Sequence, residues 1–228
     1  IRSPERISAM FRRAFNEMRT GRPGPVVLEL PRDVMAAEVP EAAQNYIAAK
    51  TGKFLPPQSD IESAVDALLN AKRPLIWSGQ GVLMGAASES LTELAELAGI
   101  PVMTTRRGKS GFNETHPLSL GATNLTYSGQ ARKWLDESDV VFAVGTSMTG
   151  THYGQRPPDG KTLIHCSADP SDINRDYDID MPLPGDAKLV LDAMIEIANG
   201  KVSEPGHRRR AETEREIKAS RDPWMESW

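Results

Sequence analysis

The chain's 228 residues carry a formal net charge of −4, with 39% hydrophobic and 25% charged residues, the balance of a soluble globular chain long enough to bury a core. That charge gives no electrostatic case for nucleic acid or an acidic membrane surface, no apolar stretch approaches the ~20 residues that span a bilayer, and no signal peptide is visible. Cys166 is the only cysteine, which excludes an intrachain disulfide and a thiolate metal cluster and fits a reducing cytoplasm.

Residues 4–19, PERISAMFRRAFNEMR, place Ile7, Met10, Phe11, Ala14, Phe15 and Met18 on one helical face, with Ser3 as N-cap and Pro4 at the first helical position. Gly21 ends that helix, and GRPGP leads into Val26–Leu30, a strand-like run closed by Pro31. One helix and one strand cannot make a sheet, so this piece is expected to pair with strands outside the chain or to be recruited onto a second domain. Together with a start at Ile1 rather than methionine, this reads as a segment of something longer. Residues 35–59 are small and polar and end in FLPPQSD, an interdomain linker with an N-cap at Ser59 or Asp60. The next helix is expected from Ile61 to Ala71, burying Ile61, Val65, Leu68 and Leu69.

Pro74 opens the most informative stretch. An apolar run (Leu75, Ile76, Trp77) turns through Gly79, Gly81 and Gly85, and Leu91, Leu94, Ala95 and Ala98 follow at helical spacing. Gly99 stops the helix and Pro101–Met103 begins a second strand ending in Thr104 and Thr105, so the unit is a βαβ crossover. Glycines there allow unusual torsions and let phosphates approach helix N-terminal amides. The spacing is GxGxxxG rather than GxGxxG, and Arg106 and Arg107 stand where a ribose-binding acid would close the second strand. The same residues read equally as tight helix-on-strand packing with solvated arginines.

From Arg106 to Gly129 the chain is rich in turn formers and reads as a long loop, with His116 as a loop anchor. A helix at Gly129–Glu137, a strand at Val140–Val144, strands at Leu163–Cys166 and Ile179–Leu183, and a helix at Ala187–Ala198 complete the pattern. Within LIHCS, Cys166 reads as a buried inert thiol. The expected fold is α/β: a Rossmann-like, doubly wound parallel sheet flanked by helices, with an N-terminal helix–strand remnant of a preceding domain. The tail around HRRRAETEREIK reads as a solvated linker helix, and Trp224 and Trp228 are expected to pack on something outside the chain.

With these residues laid out, the sequence resembles the central domain of the thiamine diphosphate-dependent enzymes of the acetolactate synthase, pyruvate oxidase and benzoylformate decarboxylase superfamily. GRPGPVVLELPRDV at 21–34 looks like the last strand of that family's pyrimidine-binding domain. RPLIWSGQGVLMGAASESLTELAELAGIPVMTTRRGKSGFNETHPLSLG, DVVFAVGTSMTG and IHCSADPSDINRDYDIDMPLPGDA agree with the central domain in the family's order. The resemblance divides the chain into a pyrimidine-domain piece (1–34), a linker (35–59), a central Rossmann-like domain (60–200) and a linker toward a diphosphate-binding domain (201–228).

The resemblance implies that thiamine diphosphate and magnesium belong to the parent enzyme, bound by an activating glutamate upstream and a GDG motif downstream. Neither lies in this chain, which then holds no catalytic or metal-binding residue. It also implies a nucleotide site in some relatives, whose pattern falls here on Arg22, Gly79, Gly81, Thr104 and Asp169: arginine for phosphate, glycine amides for diphosphate, aspartate for ribose. Ser147 stands where flavin-binding relatives carry arginine, and Asn124 where they carry histidine, which argues against FAD and leaves ADP, a CoA-type nucleotide or an empty structural domain. The parent is expected to be a cytoplasmic homo-oligomer acting on 2-oxo acids or aldehydes by C–C bond cleavage or ligation. Its partners here would be its own missing domains, with neither nucleic acid nor membrane involved. Two alternatives remain: a free-standing NADP- or ADP-binding module using Gly79, Gly81, Arg106 and Arg107, and a structural regulatory subunit.

Overall fold

A strand-forming apolar run followed by a glycine turn and a helix can bury its residues only against a sheet, and the computed structural model shows how the repeats of that unit are joined. It describes residues 1–123, 128–150, 156–202 and 204–226, without the side chains at 204–208 and 222–226. The chain divides into two units, Ile1–Lys53 and Phe54–Trp228.

The first unit contains a 3-10 turn at Pro4–Arg6 and helices α1 (Ile7–Arg19), α2 (Arg32–Ala36) and α3 (Glu41–Gln44). Two short helices therefore occupy part of the segment read as a linker. Its buried hydrophobic side chains among the described residues are Ala14, Val34 and Ala43, too few for a core of its own. The strand expected at Val26–Leu30 does not form: the segment has no ladder, and Val27 is 86% exposed. The physical reason is that the unit contains no strand to share its hydrogen bonds.

The second unit begins with α4 (Gln58–Asn70), capped at Pro57 rather than at Ser59 or Asp60. It continues through β1 (Pro74–Ser78), α5 (Gln80–Met84), α6 (Ser88–Ala98), β2 (Val102–Thr105), β3 (Ser119–Thr123) and α7 (Gly129–Glu137). The remaining elements are β4 (Val140–Val144), β5 (Thr162–Ser167), β6 (Met181–Pro184), α8 (Ala187–Asn199) and α9 (Glu204–Glu226). The six strands form one parallel sheet in the order β3-β2-β1-β4-β5-β6. The chain winds outward from β1 in one direction, then returns to start again at β4, so the switch point lies between the carboxyl ends of β1 and β4.

Alternating strand residues feed two cores. Ile76, Phe142, Val144 and Ile164 meet α4, α6 and α8 through Leu68, Leu91, Leu94 and Leu191. Leu75, Trp77, Val141 and Ala143 meet α7 and α9 through Trp134, Leu135 and Ile217.

Three further expectations are corrected. The segment read as one long loop contains β3, whose SLGAT sequence has little strand propensity and is held in place by pairing with β2. The single helix expected after the glycine turn is two helices, because Gly85 is followed by Ala86 in the left-handed region at φ 54 and α6 starts afresh at Ser88. The tail helix is not merely solvated: Ile217 is 1% exposed, and Thr213 Oγ1 donates to Gly99 O at 3.2 Å.

That helix lies across the amino ends of the strands, because its partners are the residues just before them. Arg209 reaches Leu69 O at 2.9 Å and Ala71 O at 2.8 Å ahead of β1, and Arg221 donates to Ser119 O at the start of β3. Glu216 takes two bonds from Arg73 (2.7 and 3.1 Å), whose guanidinium stacks 3.6 Å over the Trp134 ring.

Candidate functional site

In a doubly wound sheet a ligand is expected outside the carboxyl ends of the strands at the switch point. Four of the five residues expected at a nucleotide site, Gly79, Gly81, Thr104 and Asp169, lie in the second unit near those ends. Arg22 belongs to the first unit, where it is exposed.

Gly79 follows β1 and donates its N–H to Val144 O at 2.9 Å; Gly81 donates to Gly145 O at 2.7 Å. A Cβ at Gly79 would lie 2.3 Å from Gly145 O, and one at Gly81 would lie 2.7 Å from Gly145 Cα. Gly145, at φ 62, presses on Val82 N and Gly81, while Gly108 presses on Gly79. Gly108 sits in a 3-10 turn after β2, capped by Thr105 Oγ1, and the exposed Arg106 and Arg107 project from that turn.

Thr104 lies directly opposite Ser78 in the ladder, and both hydroxyls are buried without a hydrogen-bond partner among the described residues. Asp169, half-buried after β5, accepts from Ser171 N at 3.0 Å and Ser171 Oγ at 2.7 Å, capping the turn Pro170–Asp172.

Two residues that sequence reasoning passed over lie beside these. His165 faces the α7 side, in one ladder row with Ala143 and Trp77. It is fully buried, its Nε2 donates to Thr146 O at 2.8 Å, and burial holds its pKa below the ordinary value, so the ring is neutral. Arg175 binds the buried Asp172 at 2.8 Å and reaches Thr149 Oγ1 and the Ser147 carbonyl at 3.4 Å. The only sequence signal for it was the Asp–Arg pair at i, i+3. Ser147 itself bonds Thr149 at 2.8 Å. Asn124 lies outside the described residues.

Other candidates are chemically quiet. Burial pushes the Cys166 thiol up to about 12, far from a thiolate. His116 accepts from Leu118 N at 3.1 Å through Nδ1 and meets Glu96 at 3.1 Å through Nε2, which anchors its loop. Glu89, Glu93, Glu96 and Glu114 line a surface groove of about 750 Å³. Among the described residues no group of three or more His, Cys, Asp or Glu could hold a metal ion, and no helix is long and apolar enough to cross a membrane.

A family profile described as thiamine pyrophosphate enzyme, central domain, matches residues 61–194, more than half of the chain. A probable acetolactate synthase large subunit from Methanococcus aeolicus is 36% identical over 196 residues, 83% of this chain and 33% of that protein. Glyoxylate carboligase from Escherichia coli O157:H7 is 32% identical over 201 residues, 87% of this chain and 34% of its own. Among solved structures, benzoylformate decarboxylase from Polynucleobacter necessarius superposes with a TM-score of 0.73 at 25% identity, covering 86% of this chain and 37% of that one. The chain thus spans about a third of the length of the curated relatives it matches.

Proposed function

The chain belongs to the thiamine pyrophosphate enzyme central-domain family, and from that premise we propose that it is the middle part of an enzyme that cleaves or joins C–C bonds of 2-oxo acids or aldehydes. The observation that carries this reading is the family match itself, which runs from α4 to α8 and so takes in every strand of the sheet. The relatives named above are a synthase, a carboligase and a decarboxylase, which supports 2-oxo acids or aldehydes as the substrate class.

Thiamine diphosphate, held with magnesium in the parent, would supply the carbanion chemistry. No reaction step is assigned to this chain's described residues. Their work is mechanical: a rigid sheet that spaces the flanking domains. Residues 1–34 would belong to the preceding domain, and the unpaired Val26–Leu30 segment supports this, since its hydrogen bonds need a strand from elsewhere. Residues 201–228 would lead toward the following domain, and the parent would be a cytoplasmic homo-oligomer.

The test is to express the full reading frame around this chain with thiamine diphosphate and magnesium. It would be assayed on pyruvate, glyoxylate and benzoylformate for carbon dioxide release and carboligation product. Cofactor-dependent turnover is the expected result. A pure, folded parent that neither binds thiamine diphosphate nor turns over any of the three would overturn the reading.

A further inference from the structure

A glycine turn after the first strand of a doubly wound sheet ordinarily receives a dinucleotide, and three physical conditions make it do so. A glycine must leave open space for the pyrophosphate, the amides of the turn must be free to donate, and a helix of useful length must begin there.

The space a side chain would take is filled. The positions of absent Cβ atoms at Gly79, Gly81, Gly108 and Gly145 all fall within 2.3 to 2.7 Å of protein backbone, and in each case the intruding backbone belongs to another of these turns. The ends of β1 and β4 thus interleave, with the turn after β2 pressed against them. The amides are used: Gly79 and Gly81 donate to Val144 O and Gly145 O. The helix is short: α5 has five residues and stops at Gly85, while α6 begins only at Ser88. Its dipole is correspondingly small, since too few peptide units are aligned. Asp169, the residue placed for a ribose, caps its own turn. Thr104 lies beneath this layer, 2% exposed.

We infer that Gly79, Gly81, Gly108 and Gly145 form a backbone lock that ties the carboxyl ends of β1, β2 and β4 together, and that this crevice takes no nucleotide of the ADP, FAD, CoA or NADP class. The glycines are required by protein meeting protein, not by protein meeting phosphate. This holds whatever reaction the parent performs.

The two roles give opposite results. A cradle glycine faces ligand, so alanine there spares the unliganded fold and abolishes binding; a lock glycine faces backbone, so alanine there damages the unliganded fold. The test measures thermal unfolding of the 228-residue chain as wild type, Gly79→Ala, Gly145→Ala and Gly129→Ala. A Cβ at Gly129 meets nothing within 4 Å. Wild type is also titrated by calorimetry with ADP, FAD, CoA and NADP. The lock predicts a Tm loss of many degrees, or failure to fold, for Gly79→Ala and Gly145→Ala. It further predicts a near-wild-type Gly129→Ala and no nucleotide binding tighter than about 1 mM, the weak end of specific affinity. A wild-type Tm for Gly79→Ala overturns the lock. Saturable binding of any of the four nucleotides by wild type overturns the closed crevice even where the alanine variants do not fold.

Discussion

Replacing Arg209 with alanine tests whether α9 is part of the second unit's fold or an appendage to it. The guanidinium donates to three carbonyls at the end of α4, Leu68 O at 3.3 Å, Leu69 O at 2.9 Å and Ala71 O at 2.8 Å. These are groups that helix termination leaves without an intrahelical partner. A hydrogen bond from a charged donor contributes about 1.5–3 kcal/mol, and a cation at a helix C-terminus roughly 0.3–1 kcal/mol. Arg209 is only half-buried, so water recovers part of the loss, and the expected cost of Arg209→Ala is about 2 kcal/mol. For a chain of this size that is a fall in Tm of roughly 4–8 °C. Arg209→Lys keeps the charge but loses the planar fork and should show about half the effect. Urea and thermal unfolding followed by far-UV circular dichroism give both numbers. A midpoint unchanged in Arg209→Ala, or a separate early transition of α9 in the wild type, would show that the helix is not integral to the fold.

Glu96 is held below its ordinary 4.5, first by the hydrogen bond from His116, against the opposing effect of burial, and then by Arg210. A lowered carboxyl stabilises the fold above 4.5 and loses that contribution as pH falls through the lowered value. Glu96→Gln should therefore flatten the acid limb of the stability–pH profile; a limb identical to wild type would count against the pairing. With its thiol pushed up to about 12, Cys166 should label with a thiol reagent only at the rate of unfolding, whereas rapid labelling of the native chain would contradict its burial. Phe142, fully buried in β4, should cost about 3–5 kcal/mol on replacement by alanine in chemical denaturation, and a loss under ~1 kcal/mol would mean the core is misplaced. Val27→Asp should change the stability of this chain by less than ~0.5 kcal/mol, as expected of an exposed site, but lower the Tm of the full-length parent. An unaffected parent would remove the expected strand partner.

What could be read from the sequence was whatever depends on local pattern. The apolar strand runs at Leu75–Trp77 and Val140–Val144 and the helical stripe of Leu91, Leu94, Ala95 and Ala98 fold as their spacing dictates, because each buries against a sheet that the same pattern supplies. β3 was invisible because Ser119–Thr123 owes its conformation to β2 alongside it rather than to its own residues. The break between α5 and α6 was hidden because Ala86 is a good helix former placed in a left-handed torsion by tertiary packing. At the candidate site the glycines could be found but not interpreted. A glycine pattern shows that something approaches the backbone closely, and only the fold shows that the approaching atoms are Gly145 O and Thr146 Cα. Arg175 carries no motif, since its partners Ser147 and Thr149 are 26 or more residues away.

The two ends of the sheet are closed by different means, and the difference bears on what the domain can do. At the carboxyl ends, the turns after β1, β2 and β4 press together through glycine backbone, with Thr146 Cβ also against Gly79, so a side chain at these glycines has no room. At the amino ends, α9 is held by long cationic side chains, Arg209, Arg210 and Arg221, reaching carbonyls and Glu96. Such contacts tolerate small displacements of the helix because each side chain has several rotatable bonds. One end of the sheet is thus closed rigidly and the other compliantly, so α9 can shift slightly while the carboxyl strand ends stay fixed. Charge reversal of Glu96 would then loosen α9 without disturbing the glycine contacts. Hydrogen exchange should speed up in α9 and stay slow in the Gly79–Val82 amides. Equal acceleration at both ends would show that the two seals open together.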